Sequence, residues 1–130
     1  MEACMIALKR IYEAATPEDG MRVLVERLWP RGVKKDEAQL DHWAKEVAPS
    51  GLLRNWFHHD PSRWQEFKRR YVRELDQNEG SWKPLLQVAR GRRVTLIYSS
   101  HDAEHNNAVA LKQYLDRKRN RIRHSRGEAA

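Results

Sequence analysis

The sequence predicts an α/β domain of three layers, in which a short, mainly parallel sheet is flanked by helices. Three observations lead there. The segment Val94-Thr95-Leu96-Ile97-Tyr98 is an unbroken run of β-branched, aliphatic and aromatic residues, the pattern of a strand covered on both faces. Two other strand-like segments precede it, with helical spacing between, so the strands must be joined by crossovers, right-handed where they are parallel. The length of 130 residues suits one core that buries roughly two-thirds of the unfolded surface.

The elements follow in order. Met5 to Tyr12 alternates Ile6 and Leu8 with Ala7 and Lys9 and closes on Ile11-Tyr12, a first strand. Thr16-Pro17-Glu18-Asp19-Gly20 is a turn or a single helical turn. Met21 to Leu28 gives a second strand through Val23-Leu24-Val25. Pro30 then forces Trp29 toward extended geometry, and Gly32 releases the chain into a loop. Leu40, Trp43, Ala44 and Val47 have helical spacing, which predicts a helix over Asp36 to Val47. Ser50 caps a short helix carrying Leu52, Leu53, Trp56 and Phe57. Asp60-Pro61 starts another, with Trp64, Phe67, Tyr71 and Leu75 on one stripe. A further helix is expected from Ser81, with Pro84 in its first turn and Gly91 as its stop. After the Val94–Tyr98 strand, Ala108, Leu111 and Leu115 form the apolar stripe of a helix from about Ala103 to Arg117.

Residues 1–116 therefore read as one domain and 117–130 as a basic, disordered tail. Net charge is +7, but Asp116 to Ala130 alone carries six basic and two acidic residues, so the tail region holds +4 of it. The single cysteine, Cys4, excludes an intrachain disulfide and has no nearby basic group to make it a nucleophile. No signal peptide or transmembrane run is evident, and a soluble cytoplasmic protein without membrane contact is expected.

Three stretches carry a family resemblance: VLVERLWPRG at Val23–Gly32, WAKEVAPSGLLRNWFHHDPSRWQEFKRRYVREL at Trp43–Leu75, and VTLIYSSHDAEHNNAVAL at Val94–Leu111. Together they resemble the DUF488 family, in its short YeaO-like branch, over nearly everything from Ile6 to Leu115. The resemblance implies an α/β fold and no settled biochemical function. Where the family commonly reads Asp-Arg-Leu-Trp-Pro-Arg-Gly, this chain has Glu26 in the Asp place.

The candidate site lies where the Val94–Tyr98 strand gives way to Ser99-Ser100-His101-Asp102. In an open α/β sheet, ligands bind outside the carboxyl ends of strands, against free N–H groups of a following helix. If the second strand lies parallel beside this one, Arg27 and Arg31 reach the same crevice, and guanidinium forks suit phosphate or carboxylate. Ser99, Ser100, Asp102 and Asn106 would orient a ligand, and Trp29 would offer a flat face for a base or sugar. His101 and His105 are the acid–base candidates. The competing reading is that Arg27 pairs with Glu26 or Asp102 at the sheet's rim, while Trp29 is core.

His101-Asp102-Ala103-Glu104-His105 also has the form H-x-x-E-H, but the third ligand would have to come from the 25 residues after His105, most of them a basic tail, so no metal is assigned. His58 and His59 are loop histidines able to serve as a base only if folded back to the crevice. The expected partner is an anionic, phosphorylated or nucleotide-like small molecule, with no particular cofactor indicated. The alternative is a nucleic-acid-associated accessory protein, binding weakly and without sequence preference through the tail and through Arg90, Arg92 and Arg93.

Overall fold

In the computed structural model the described residues are 5–129, with side chains described through Asn120. Cys4 therefore lies outside them, as do the side chains of Arg121, Arg123 and Arg126. Four strands form one wholly parallel sheet: β1 (Ile6–Arg10), β2 (Met21–Leu24), β3 (His42–Trp43) and β4 (Val94–Tyr98), in the order β1-β4-β2-β3. The helices are α1 (Lys35–Ala38), α2 (Gly51–Phe57), α3 (Trp64–Asp76), α4 (Glu79–Ala89) and α5 (Asn107–Ala129).

The unbroken apolar run of β4 puts it between β1 and β2, with all five of its residues buried. Alternation then sorts side chains to two unequal faces. Ile6, Val23, Val25, Val94, Leu96 and Tyr98 join the large core beneath α2–α5. Leu24 and Ile97 point the other way, into a small cluster with Ile11 and Ala38 that Trp29, Val33, Leu40 and Trp43 cover. The third layer is thus a loop with one four-residue helix rather than a helical layer.

The helix expected over Asp36 to Val47 does not form. Gln39 adopts a left-handed conformation that stops α1, and His42–Trp43 pairs with Val23–Leu24 as β3. The helical-looking spacing arises because this extended segment passes from one face to the other. Leu40 and Trp43 belong to the small cluster, whereas Ala44 and Val47 belong to the large one.

On the large face, α3 buries Trp64, Phe67, Tyr71 and Leu75 as its stripe requires. Phe67 stacks on Phe57 of α2 at 4.4 Å, and the Tyr71 hydroxyl donates to the Val47 carbonyl at 2.6 Å. Burial pushes that phenol's pKa up. Ser50 caps α2 by accepting from the Leu53 N–H, and its own N–H and hydroxyl donate to Glu74 at 2.8 and 2.6 Å. Asp60 caps a 3-10 turn (Pro61–Arg63) that leads into α3. The α4 helix begins at Glu79, so Ser81 lies within its first turn, its hydroxyl donating to the Asn78 carbonyl. The α5 helix starts later than expected, and its backbone continues through residues 117–129, which the sequence reading assigned to the tail.

A polar knot closes the amino end of the small face. Asp19 is buried and accepts from Lys9 at 3.1 Å and Arg22 at 2.7 Å, while Arg22 also donates to the carbonyls of Gln39 and Ala38. Desolvation alone would raise the Asp19 pKa. The Thr16 N–H, Lys9, Arg22 and the Thr16 hydroxyl outweigh it and hold the carboxyl at about 2. Gly20 follows with φ +65°, and a Cβ there would collide with the Arg93 carbonyl that receives the Met21 N–H. Only glycine suits that approach.

Candidate functional site

The parallel β2–β4 pairing, with Leu24 opposite Ile97, brings the segments after both strands to one edge of the sheet. A cavity of about 360 Å³ opens there, within the range of small-molecule sites. Its apolar part is made by Leu28, Phe57 and Phe67, and its polar part includes Glu26, Arg27, Arg54, Asn55, His58 and His59. Ser99, Ser100, Asn106 and Asn107 complete the β4 side.

Several of these polar groups are occupied by the protein itself. The Glu26 carboxylate accepts from the Ser99 N–H and hydroxyl, both at 2.7 Å, which clamps β4's exit to β2's. The Ser100 hydroxyl accepts from the Asp102 N–H at 3.1 Å. Asn106 is the true cap of α5: its side chain accepts from the Val109 N–H and donates to the Asp102 carbonyl. The Asn107 amide donates to the Val25 carbonyl at 2.7 Å, so this side is rigidly stitched. Asp102 closes a loop turn, accepting from the N–H groups of Glu104 and His105 and meeting the His105 Nδ1 at 2.9 Å. Those contacts, led by the Glu104 N–H, hold its carboxyl below the usual carboxylate range.

Arg27 lines the cavity, as its place after β2 requires. It pairs with neither Glu26 nor Asp102. Its Nη2 donates to the Ala48 carbonyl at 3.1 Å and its Nε to that of Pro49 at 3.3 Å. Arg31 and Trp29 are not brought into the cavity. Pro30 turns the chain over the small face, where Trp29 donates its Nε1–H to the Val33 carbonyl at 2.7 Å and packs edge-on against Trp43. Arg31 is exposed, and its carbonyl accepts from the Tyr12 hydroxyl. His101 and His105 also lie outside the cavity lining. His101 is exposed beside Arg10 at 3.1 Å, and His105 packs edge-on against Trp64 at 5.4 Å. Among the described residues, no three His, Cys, Asp or Glu side chains are grouped to hold a metal ion.

Sequence reasoning missed Arg54 and Asn55, and it left His58 and His59 unplaced. Arg54, Asn55 and His58 make no side-chain hydrogen bond among the described residues, although all three line the cavity. His58 and His59 are consecutive non-glycine residues with φ of +47° and +54°. Left-handed backbone at such residues costs about 1–2 kcal/mol each and concentrates at functional sites. The α2 helix is closed by His58, whose left-handed conformation forms its C-cap beside the cavity.

The profile of the inactive DUF488-N3 subclade matches residues 5–129 of this sequence. The chain belongs to the DUF488 family. It is 42% identical over 110 residues to the uncharacterized protein YeaO of Escherichia coli (strain K12), covering 85% of this chain and 96% of that one. It is 38% identical over 111 residues to the uncharacterized protein Rv3073c of Mycobacterium tuberculosis (strain H37Rv), covering 85% and 93%. No solved structure matches it. Within the DUF488 match, the Glu26 carboxylate reaches Ser99 with both oxygens and serves as a clamp between the two strand exits. The other DUF488 motif residues divide, Arg27 going to the cavity and Trp29 and Arg31 to the opposite face.

Proposed function

We propose that this DUF488 protein binds a small anionic ligand, phosphorylated or nucleotide-like, in the cavity at the carboxyl ends of β2 and β4, and does not transform it. The observation that carries the reading is the set of unspent polar groups there. Arg54, Asn55 and His58 stand beside Arg27 with no side-chain hydrogen bonds among the described residues. Two guanidiniums and two imidazoles face one carboxylate whose oxygens already accept from Ser99, so the balance favours a negatively charged guest. The amino-terminal end of α5 borders the same space through Asn106 and Asn107. The Phe57–Phe67 floor suits the apolar or planar body of such a ligand.

Binding without turnover is favoured by the state of the reactive groups. The Ser99 hydroxyl donates to Glu26, the Ser100 hydroxyl caps a turn, and His101 and His105 have partners outside the cavity. The description of the matching subclade as inactive agrees with this reading.

Thermal-shift measurements with inorganic phosphate, adenosine monophosphate and sugar phosphates test it. A ligand at a hundred times its Kd adds about 2.7 kcal/mol, a rise of roughly 10 °C for a domain of this size. At least one of these anions is expected to stabilise the chain and to be recovered unchanged by phosphorus NMR. Arg27→Ala and Arg54→Ala are each expected to remove most of the shift. Stabilisation that survives both substitutions, or none with any anion, would refute the site.

A further inference from the structure

We infer that the groove between α3 and α5 is a docking surface for the phosphate backbone of double-helical nucleic acid, distinct from the cavity at the strand ends. This groove encloses about 380 Å³, and its walls carry Lys68, Arg69 and Arg73 from α3 and Arg117 from α5, with Gln65 and Gln113 between them. No carboxylate lines it. Outside the lining, Glu66 accepts from Arg69 at 2.9 Å and Arg70 at 3.0 Å, and Asp76 accepts from the Tyr114 hydroxyl at 2.6 Å with Lys118 at 3.8 Å. Arg73 and Arg117 make no ion pair among the described residues. Lys68 spans the groove, its Nζ 3.4 Å from the Gln113 Oε1.

Four cations, one of them already paired with Glu66, around a polar rim with no carboxylate in the lining attract a polyanion, because phosphate contacts release condensed counterions. The chemistry favours a duplex over the other polyanions. Single-strand binders stack bases on exposed aromatic rings, but Tyr71 and Trp64 beside this groove are buried, at 1% and 7% exposure. An acidic peptide needs an apolar anchor pocket, but Leu75 is also buried and Val72 is half-buried, leaving no pocket for an anchor to enter. The α5 backbone runs on from Arg117 to Ala129, about 18 Å at helical rise, through a sequence that adds Arg121, Arg123 and Arg126. The sequence alone placed nucleic-acid contact on the tail and on Arg90, Arg92 and Arg93. The groove puts its core on the folded body instead.

Fluorescence anisotropy of the full chain with a labelled mixed-sequence DNA duplex, over a sodium chloride series, tests this. Binding is expected to weaken steeply with salt. Arg69→Ala with Arg73→Ala, both exposed on α3, is expected to lower the log–log salt slope by about 2, close to one ion per lost phosphate contact. The same double variant is expected to weaken binding at least tenfold at low salt, equally for all duplex sequences. Circular dichroism melting checks that it remains folded. An unchanged slope in the variant, with binding abolished by removal of residues 120–130, would overturn the assignment in favour of the tail. Equal or tighter binding to polyglutamate or to a single strand would overturn the duplex as partner, and absence of binding at low salt would end the idea.

Discussion

Two polar clusters sit at opposite ends of the sheet, and they differ in how completely the protein uses them. At the amino end, Asp19, Lys9, Arg22 and Thr16 satisfy one another, and Arg22 spends its remaining donors on the Ala38 and Gln39 carbonyls. At the carboxyl end, Arg54, Asn55 and His58 line a cavity without such partners. Buried charge that is fully paired holds an architecture together but leaves nothing to offer a ligand. Unspent polar groups on an open corner do the reverse. The comparison separates paired from unpaired polarity within the same small domain.

Breaking the knot should have the largest effect. Arg22→Ala leaves the buried Asp19 carboxylate with Lys9 and Thr16 alone and removes the side-chain donor to the Ala38 and Gln39 carbonyls, so a loss of about 3 kcal/mol is expected from urea unfolding, with the slope of the transition unchanged. A loss below about 1 kcal/mol would mean that the knot is not the lock described here.

Acid should open the same end more gently. The Asp19 carboxyl lies at about 2 in the folded chain against 3.8 ordinarily. Between those values the unfolded chain binds the extra proton, so the stabilisation is complete above about pH 4 and is lost as pH falls toward 2. The share due to this group is about 2 kcal/mol, readable as the difference between parent and Asp19→Asn in acid-limb unfolding curves.

The carboxyl end should respond in the opposite sense. His58→Gly relieves a left-handed residue at the end of α2 and is expected to stabilise the chain by about 1 kcal/mol while weakening ligand binding. Arg54→Ala is expected to leave stability within about 0.5 kcal/mol of the parent. Destabilisation by either change would place these residues with the knot rather than with a binding site.

Legibility in the sequence follows the same division. Segments with an unbroken apolar run or a single clear period were readable: β1, β2, β4, the α3 stripe and the Ser50 and Asp60 caps. The segment from Asp36 to Val47 was not, because its apolar residues lie three and four apart like a helical stripe although the chain beyond Gln39 is extended. Arg27 was readable from its place directly after a strand. Arg31 and Trp29 were misplaced because the turn at Pro30 carries them to the far face, a long-range consequence that local pattern does not encode. Arg54 and Asn55 gave no signal at all, being polar residues on the exposed side of a short helix. The one hint was the paired histidines before Asp60-Pro61, at a helix end with no glycine to take the left-handed turn. Arg22 and Asp19 looked like ordinary surface charges until topology set them against Lys9 and the α1 loop.

The most direct measurement is an amide-resolved NMR titration of the full chain with adenosine monophosphate. Saturable shifts concentrated at residues 26–28, 54–59 and 106–108, and absent from Arg54→Ala, are expected. Shifts confined to the α3–α5 groove and the end of α5, or no saturable shifts anywhere, would contradict an anion site at the carboxyl ends of β2 and β4.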